Sequence, residues 1–193
     1  ELLMSASNAR IVLLSGTPVI NYPNEFAILF NILRGYIKTW YFPLIIKTNN
    51  KVDSNTLEAM LITSEKSHDY LDYSPSSKVL SLTRNPYGFK NKINTGNKYQ
   101  GVSNIKKSDK DSTFETESIS DEDFEKKIIS IIRKNDIDVN QKGIRIRYRK
   151  ALPDKLDQFS NRHINETTKE LMNVDALKRR IIGLSSYFKS AQE

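Results

Sequence analysis

Ser15-Gly16-Thr17-Pro18 sets two hydroxyls around a glycine directly after the apolar run Ile11-Val12-Leu13-Leu14. Hydroxyls at the carboxyl end of a buried strand can donate and accept hydrogen bonds in the crevice where open α/β sheets bind ligands. The same tetrapeptide is also an ordinary strand-to-turn signal, so its flanks decide its meaning. A second pattern is the alternation of Arg145, Arg147 and Arg149 with Ile144, Ile146 and Tyr148. Three guanidiniums spaced ~6.5 to 7 Å along one strand face suit successive phosphates of a nucleic acid. They equally suit a solvated edge strand whose charge blocks aggregation. Lys178-Arg179-Arg180 is a third basic group, fitted either to nucleic acid or to acids across an interdomain linker.

The remaining candidates read more plainly. Lys90, Lys92, Lys98, Lys106 and Lys107 form a solvated loop or an electrostatic arm. Trp40-Tyr41-Phe42 reads as core, with base stacking as the alternative. His68 and His163 lie in polar stretches and are expected at the surface. Asp121-Glu122-Asp123 opens a helix, where carboxylates complement the macrodipole. Cysteine is absent, which excludes disulfides and thiolate chemistry; with only His68 and His163 a zinc site would need carboxylates for most of its ligands, so no structural zinc module is expected. No Gly-x-x-x-x-Gly-Lys-Ser/Thr phosphate loop occurs, no Asp-Glu pair follows a buried strand, and no arginine finger can be placed. This chain alone is not expected to hydrolyse ATP.

Composition sets the wider bounds. The 193 residues carry a formal charge of +7 and a pI near 9.4, which favours an anionic partner. A 38% hydrophobic share and a mean hydropathy of -0.53 fit a globular chain with long polar connections. That length buries about one and a half to two folding units. No apolar run approaches the roughly 18 to 20 residues that span a bilayer, so no membrane partner is expected. The start at Glu1-Leu2-Leu3 has neither Met nor signal-peptide character and suggests an internal segment.

These side chains need elements to position them. Ile11 to Leu14 reads as a buried parallel strand, and Phe26, Leu29, Phe30 and Leu33 as one face of a helix stopped by Gly35. Strand, polar turn and helix is the grammar of an α/β nucleotide-binding domain. From about 36 to 150 a separate module is expected. Its strand near 40–46 has Pro43 marking an edge or a bulge. Asp53 or Ser54 caps a helix bearing Leu57, Met60 and Leu61, and Tyr70 to Tyr73 is a weak strand. Val79 to Thr83 is another strand, closed by a turn through Arg84-Asn85-Pro86-Tyr87-Gly88-Phe89. Lys90 to Ser118 reads as a mobile loop or poorly ordered hairpin. A helix follows, capped by Ser120 with an Ile119–Phe124 staple and an apolar stripe of Phe124, Ile128, Ile131 and Ile132. Gly143 precedes the alternating basic strand. Strand, helix, strand, strand, helix, strand is a split βαβ, ferredoxin-like order. Beyond Pro153, helices are expected over 167–172 and 175–189.

The stretch Arg10 to Asn21, with Asn24-Glu25-Phe26 and Leu29-Phe30-Asn31-Ile32-Leu33, resembles motif III and its trailing helix in Swi/Snf-like superfamily 2 ATPases. The resemblance covers Ala9 to Gly35. It implies that Ser15 and Thr17 are coupling hydroxyls linking an Mg-ATP site to the nucleic-acid track. Gly16 would permit close backbone approach, and Pro18 would fix the exit turn. Family members often carry Thr where Ser15 stands; the hydroxyl is kept. Leu82 to Phe89, Ala151-Leu152-Pro153-Asp154 and Lys178 to Phe188 are similar to helicases of large nucleocytoplasmic DNA viruses, and more distantly to the ATPase subunit of the poxvirus early transcription factor.

The implied architecture is α+β in three parts. The end of a RecA-like domain occupies 1–35, an inserted ferredoxin-like module 36–150, and a helical connection into a second RecA-like domain 151–193. The implied activity, in the full-length protein and with ATP and Mg as cofactors, is helicase or translocase action on DNA or RNA. Viral transcription machinery is a further partner, in a host-cytoplasmic viral factory or a virion. The alternatives are a non-catalytic nucleic-acid-binding or transcription-factor module and a protein-interaction insert.

Overall fold

Alternate residues of Trp40-Tyr41-Phe42-Pro43-Leu44 must face opposite sides of a strand, and the large apolar ones fall on one side. In the computed structural model, which describes residues 2–6, 8–64, 68–85, 89–94, 99–104 and 120–186, these residues lie in β1 (Ile37–Ile46). Trp40, Phe42 and Leu44 are all buried. β1 pairs antiparallel with β3 (Val79–Arg84), setting Trp40 opposite Leu82 and Phe42 opposite Leu80. β2 (His68–Ser74) adds to β3, and β6 (Ile137–Val139) pairs with the end of β1 through Leu44 and Val139. The strand order is β2-β3-β1-β6, with β7 (Arg145–Arg149) also on β1.

Two helices supply the other half of this core. α3 (Ser54–Ser64) contributes fully buried Leu57 and Leu61, and Asp53 caps it by accepting from the Thr56 N–H at 2.9 Å. α4 (Asp121–Arg133) contributes Phe124, Ile128, Ile129, Ile131 and Ile132. Ser120 Oγ accepts from the Asp123 N–H at 3.0 Å, as its cap position predicts; the expected staple partner Ile119 lies outside the described residues. Phe124 sits 4.8 Å from Trp40, ring to ring. At about 1.5–3 kcal/mol per fully buried side chain, this cluster dominates the stability of its unit.

Pro43 lies in an interior strand, not at an edge, because of what stands opposite it. Its carbonyl accepts from the Asn140 N–H at 2.9 Å, so its hydrogen-less nitrogen faces the same side. There β6 gives way to a 3-10 turn over Gln141–Gly143 before β7 begins. The partner strand is interrupted where Pro43 cannot donate. Gly143 follows from this close approach, since a Cβ there would stand 3.1 Å from Pro43 Cγ.

Between β3 and α4, the stretch expected as a mobile loop or loose hairpin carries β4 (Phe89–Ile93) and β5 (Tyr99–Asn104), an antiparallel pair. A buried polar network fastens it. Asn91 donates to the His68 carbonyl at 2.7 Å and accepts from Asn85 at 2.9 Å, while Thr83 donates to buried Asp69. Asp69 projects at the register shift between His68 and Tyr70. His68, expected at the surface, is fully buried, with Nε2 3.5 Å from Glu58. Pro86, Tyr87, Gly88, Lys98, Lys106 and Lys107 lie outside the described residues.

Lys38–Arg147 forms one compact unit, and the segments before and after it form another. In the second unit, α2 (Asn24–Arg34) packs Ala27 and Phe30 with Ala151, Leu152, Phe159 of α5 (Leu156–His163) and Leu177 of α6 (Val174–Arg180). α1 (Leu2–Ser5) is a single turn. Asn31 binds the chain at Leu152 twice, donating to its carbonyl at 2.8 Å and accepting from its N–H at 2.9 Å, both buried. Gly35 closes α2 at φ 73°, where its N–H bonds the Asn31 carbonyl.

Three expectations for this unit are corrected. Ile11 to Leu14 is neither a strand nor buried: Val12 is 78% and Leu14 93% exposed. A strand exists only where a neighbour takes its backbone hydrogen bonds, and none of the described strands pairs with this run. Residues 167–172 form turns closed by an Ile164–Leu171 bridge instead of a helix. α6 ends at Arg180, well short of 189, and Tyr187, Phe188 and Lys189 lie outside the described residues. The chain is mixed α+β with antiparallel sheets. Among the described residues no helix is long and apolar enough to cross a membrane.

Candidate functional site

Ser15, Gly16, Thr17 and Pro18 are all exposed. Ser15 Oγ accepts from the Thr17 N–H at 3.1 Å, the local bond by which serine stabilises a turn. Immediately after, Glu25 of α2 reaches back: its Oε2 accepts from the Ile20 N–H at 2.8 Å and the Asn21 N–H at 3.2 Å. Those backbone donors hold the Glu25 carboxyl below its usual range. The segment just after the hydroxyl turn, Ile20-Asn21, is therefore tied to the first turn of α2. α2 is in turn held to Ala151-Leu152-Pro153-Asp154 by the Asn31 pair and by Asn24 donating to the Asp154 carbonyl at 2.8 Å. A Cβ at Gly16 would meet nothing within 4 Å, so Gly16 leaves open space beside the turn.

β7 is the second element. Arg145, Ile146, Arg147, Tyr148 and Arg149 are all exposed, with Ile146 at 43% and Tyr148 at 63%. Of the apolar face, Ile144 packs against the core of Lys38–Arg147. Among the described residues no side-chain hydrogen bond or ion pair is made by Arg145, Arg147 or Arg149, whose backbone lies in the strand paired with β1. Such a row presents uncompensated planar donors, suited to oxyanions at regular spacing.

The third basic group is not a surface cluster. Lys178 is exposed, but Arg179 and Arg180 are 9% and 7% exposed. Three consecutive helical residues cannot share one face, so the triplet divides between solvent and interior. His163, also expected at the surface, is buried beside Phe159, with Nδ1 3.4 Å from the Met172 carbonyl. Burial pushes its pKa down, against a smaller upward pull from the Met172 carbonyl, and the Arg162 charge adds the least, also downward.

One feature escaped sequence reasoning. A shallow depression of about 430 Å³ on α4 is lined by Lys126, Ile129, Ser130, Arg133, Lys134 and Gln141. The i, i+4, i+7 spacing of Lys126, Ser130 and Arg133 was the available signal. Arg133 is already engaged, donating to Asp138 at 2.9 Å. Asp138 also meets Lys47 at 3.3 Å and accepts from the Val139 N–H at 2.8 Å. The Val139 N–H first, then Arg133 and Lys47, lower its pKa to about 2.

Among the described residues no group of three His, Asp or Glu side chains could hold a metal ion. The sequence holds no phosphate loop, and no step of ATP hydrolysis is derived from these residues. Comparison with family models, curated proteins and solved structures returns no match to the chain.

Proposed function

We propose that the chain is a segment of a Swi/Snf-like superfamily 2 helicase or translocase of the large nucleocytoplasmic DNA virus type. In this reading it runs from motif III of a first RecA-like domain, through an inserted module, toward a second RecA-like domain. The observation that carries the proposal is the stretch Ala9–Gly35, in which the Ser15-Gly16-Thr17-Pro18 turn leads into α2 under the Glu25 tie. Also in favour, two of the three other family-like blocks, Ala151–Asp154 and the helix containing Lys178–Arg180, belong with α2 to one unit, while the block that begins at Leu82 lies in the other. The unit lying between them, Lys38–Arg147, is the insertion in this reading. Its antiparallel order β2-β3-β1-β6 supports a ferredoxin-like reading of that insertion.

In such an enzyme Ser15 and Thr17 relay nucleotide state to the nucleic-acid track, and ATP and Mg are held by residues other than these. The test is ATP turnover by the full-length gene product with and without single- and double-stranded DNA or RNA. Stimulated turnover is expected; none with any nucleic acid overturns the reading. The basic face of β7 favours a second reading, a non-catalytic nucleic-acid-binding module, which predicts binding without turnover.

A further inference from the structure

We propose that β7 is a docking track for a single strand of unpaired nucleic acid. Its phosphates would run along Arg145, Arg147 and Arg149, and its bases would lie against Ile146 and Tyr148. The inference rests on the nucleic-acid reading above for its class of partner, but not on ATPase activity.

β7 pairs with β1, and no second strand among the described residues covers its other edge. All five of its residues are exposed, so a ligand lying along that edge reaches both faces at once. Charge complementarity selects a polyanion. No Asp or Glu occurs between Asp138 and Asp154, whereas Lys142 and Lys150 flank the three arginines. Protection of an edge against aggregation needs only isolated charges, most often Lys. This chain has 20 Lys and 10 Arg, yet three of the ten arginines alternate within these five residues. Arginine's planar fork bonds phosphate oxygens bidentately, which lysine cannot do.

The opposite face selects the unpaired form. An edge protected by charge has no need of an aromatic side chain exposed by 63%, and Tyr148 offers a stacking surface for a base. A duplex turns its base faces inward, where Ile146 and Tyr148 cannot reach them. Arginines on one face and an aromatic on the other match a strand whose backbone and bases diverge across the edge.

The test is fluorescence anisotropy of the 193-residue chain with labelled oligodeoxythymidylate of about 16 nucleotides, against a duplex of equal length. The single strand is expected to bind at least about tenfold more tightly than the duplex. Replacing Arg145, Arg147 and Arg149 together by alanine should reduce the slope of log K against log salt by about 2. Tyr148→Ala should weaken binding about tenfold and leave that slope unchanged. The corresponding triple lysine variant, which keeps the charge, should keep the slope and still bind less tightly; it decides the matter if the alanine variant fails to fold. Equal affinity for duplex, an unchanged salt slope in the alanine variant, or displacement of the oligonucleotide by polyglutamate at equal charge concentration would overturn the proposal. Tight, arginine-dependent single-strand binding without stimulated turnover in the full-length protein would leave this track standing and remove the helicase reading alone.

Discussion

Single side chains here carry consequences that titration can read. His163 is buried and its pKa is pushed down, so the unfolded chain binds a proton at a higher pH than the folded one. The stability it contributes is present above the ordinary histidine pKa and is lost as pH falls below about 6.5. Melting temperature should decline from pH 7.5 to pH 5, and His163→Phe should flatten that decline. Asp138 works in a lower window. With its folded pKa lowered to about 2, its contribution is present above the ordinary carboxylate value and disappears as pH falls through about 2. A carboxyl-carbon NMR titration should place its midpoint near 2, and Arg133→Ala should raise it. Neither histidine's burial was legible in the sequence, because His68 and His163 sit among polar residues. The Asn91 network around His68 is tertiary, while His163 lies against Phe159 one turn earlier in α5 and against the Met172 carbonyl.

At the scale of elements, the legible ones were those with a period and a cap. The α4 stripe, its Ser120 cap and the alternating core face of β1 could be read directly, because local chemistry and burial agree there. α5 was missed, since it buries only Phe159 and His163 and has no side-chain cap. β4 and β5 were hidden for a different reason: their anchor is Asn91, a polar residue buried at 2% exposure by partners distant in sequence. Asn91→Ala should therefore loosen the β4–β5 pair before the rest of its unit, seen as faster amide exchange in 89–93 and 99–104 with little change in α4. The Asn31 clamp gives a sharper outcome. Asn31→Ala strands the Leu152 N–H and carbonyl in the interior and should cost about 3 kcal/mol in urea unfolding. Gly35→Ala, at φ 73°, should cost about 1–3 kcal/mol through backbone strain.

For the molecule as a whole, the candidate site was legible as residue types and only partly as geometry. The Ser15–Pro18 turn and the β7 arginines are exposed where a ligand reaches them, whereas Arg179 and Arg180 turn inward. The helical 3.6-residue period makes that division unavoidable, though the bare triplet conceals it. The chain was read as three consecutive parts. Contact groups its first and last segments in one unit around Asn31, with Lys38–Arg147 as the other. No periodicity could have indicated that grouping, because it depends on contacts across more than a hundred residues, such as Asn31 with Leu152. Central to the proposed function is a coupling of nucleotide turnover to nucleic-acid binding through Ser15 and Thr17. The most direct test is nucleic-acid-stimulated ATP turnover of the full-length gene product beside its Ser15→Ala/Thr17→Ala variant. Strong stimulation in the parent and a loss of about tenfold or more in the variant, with ATP still bound, is the predicted result. Equal stimulation in both proteins, or none in either, would contradict it.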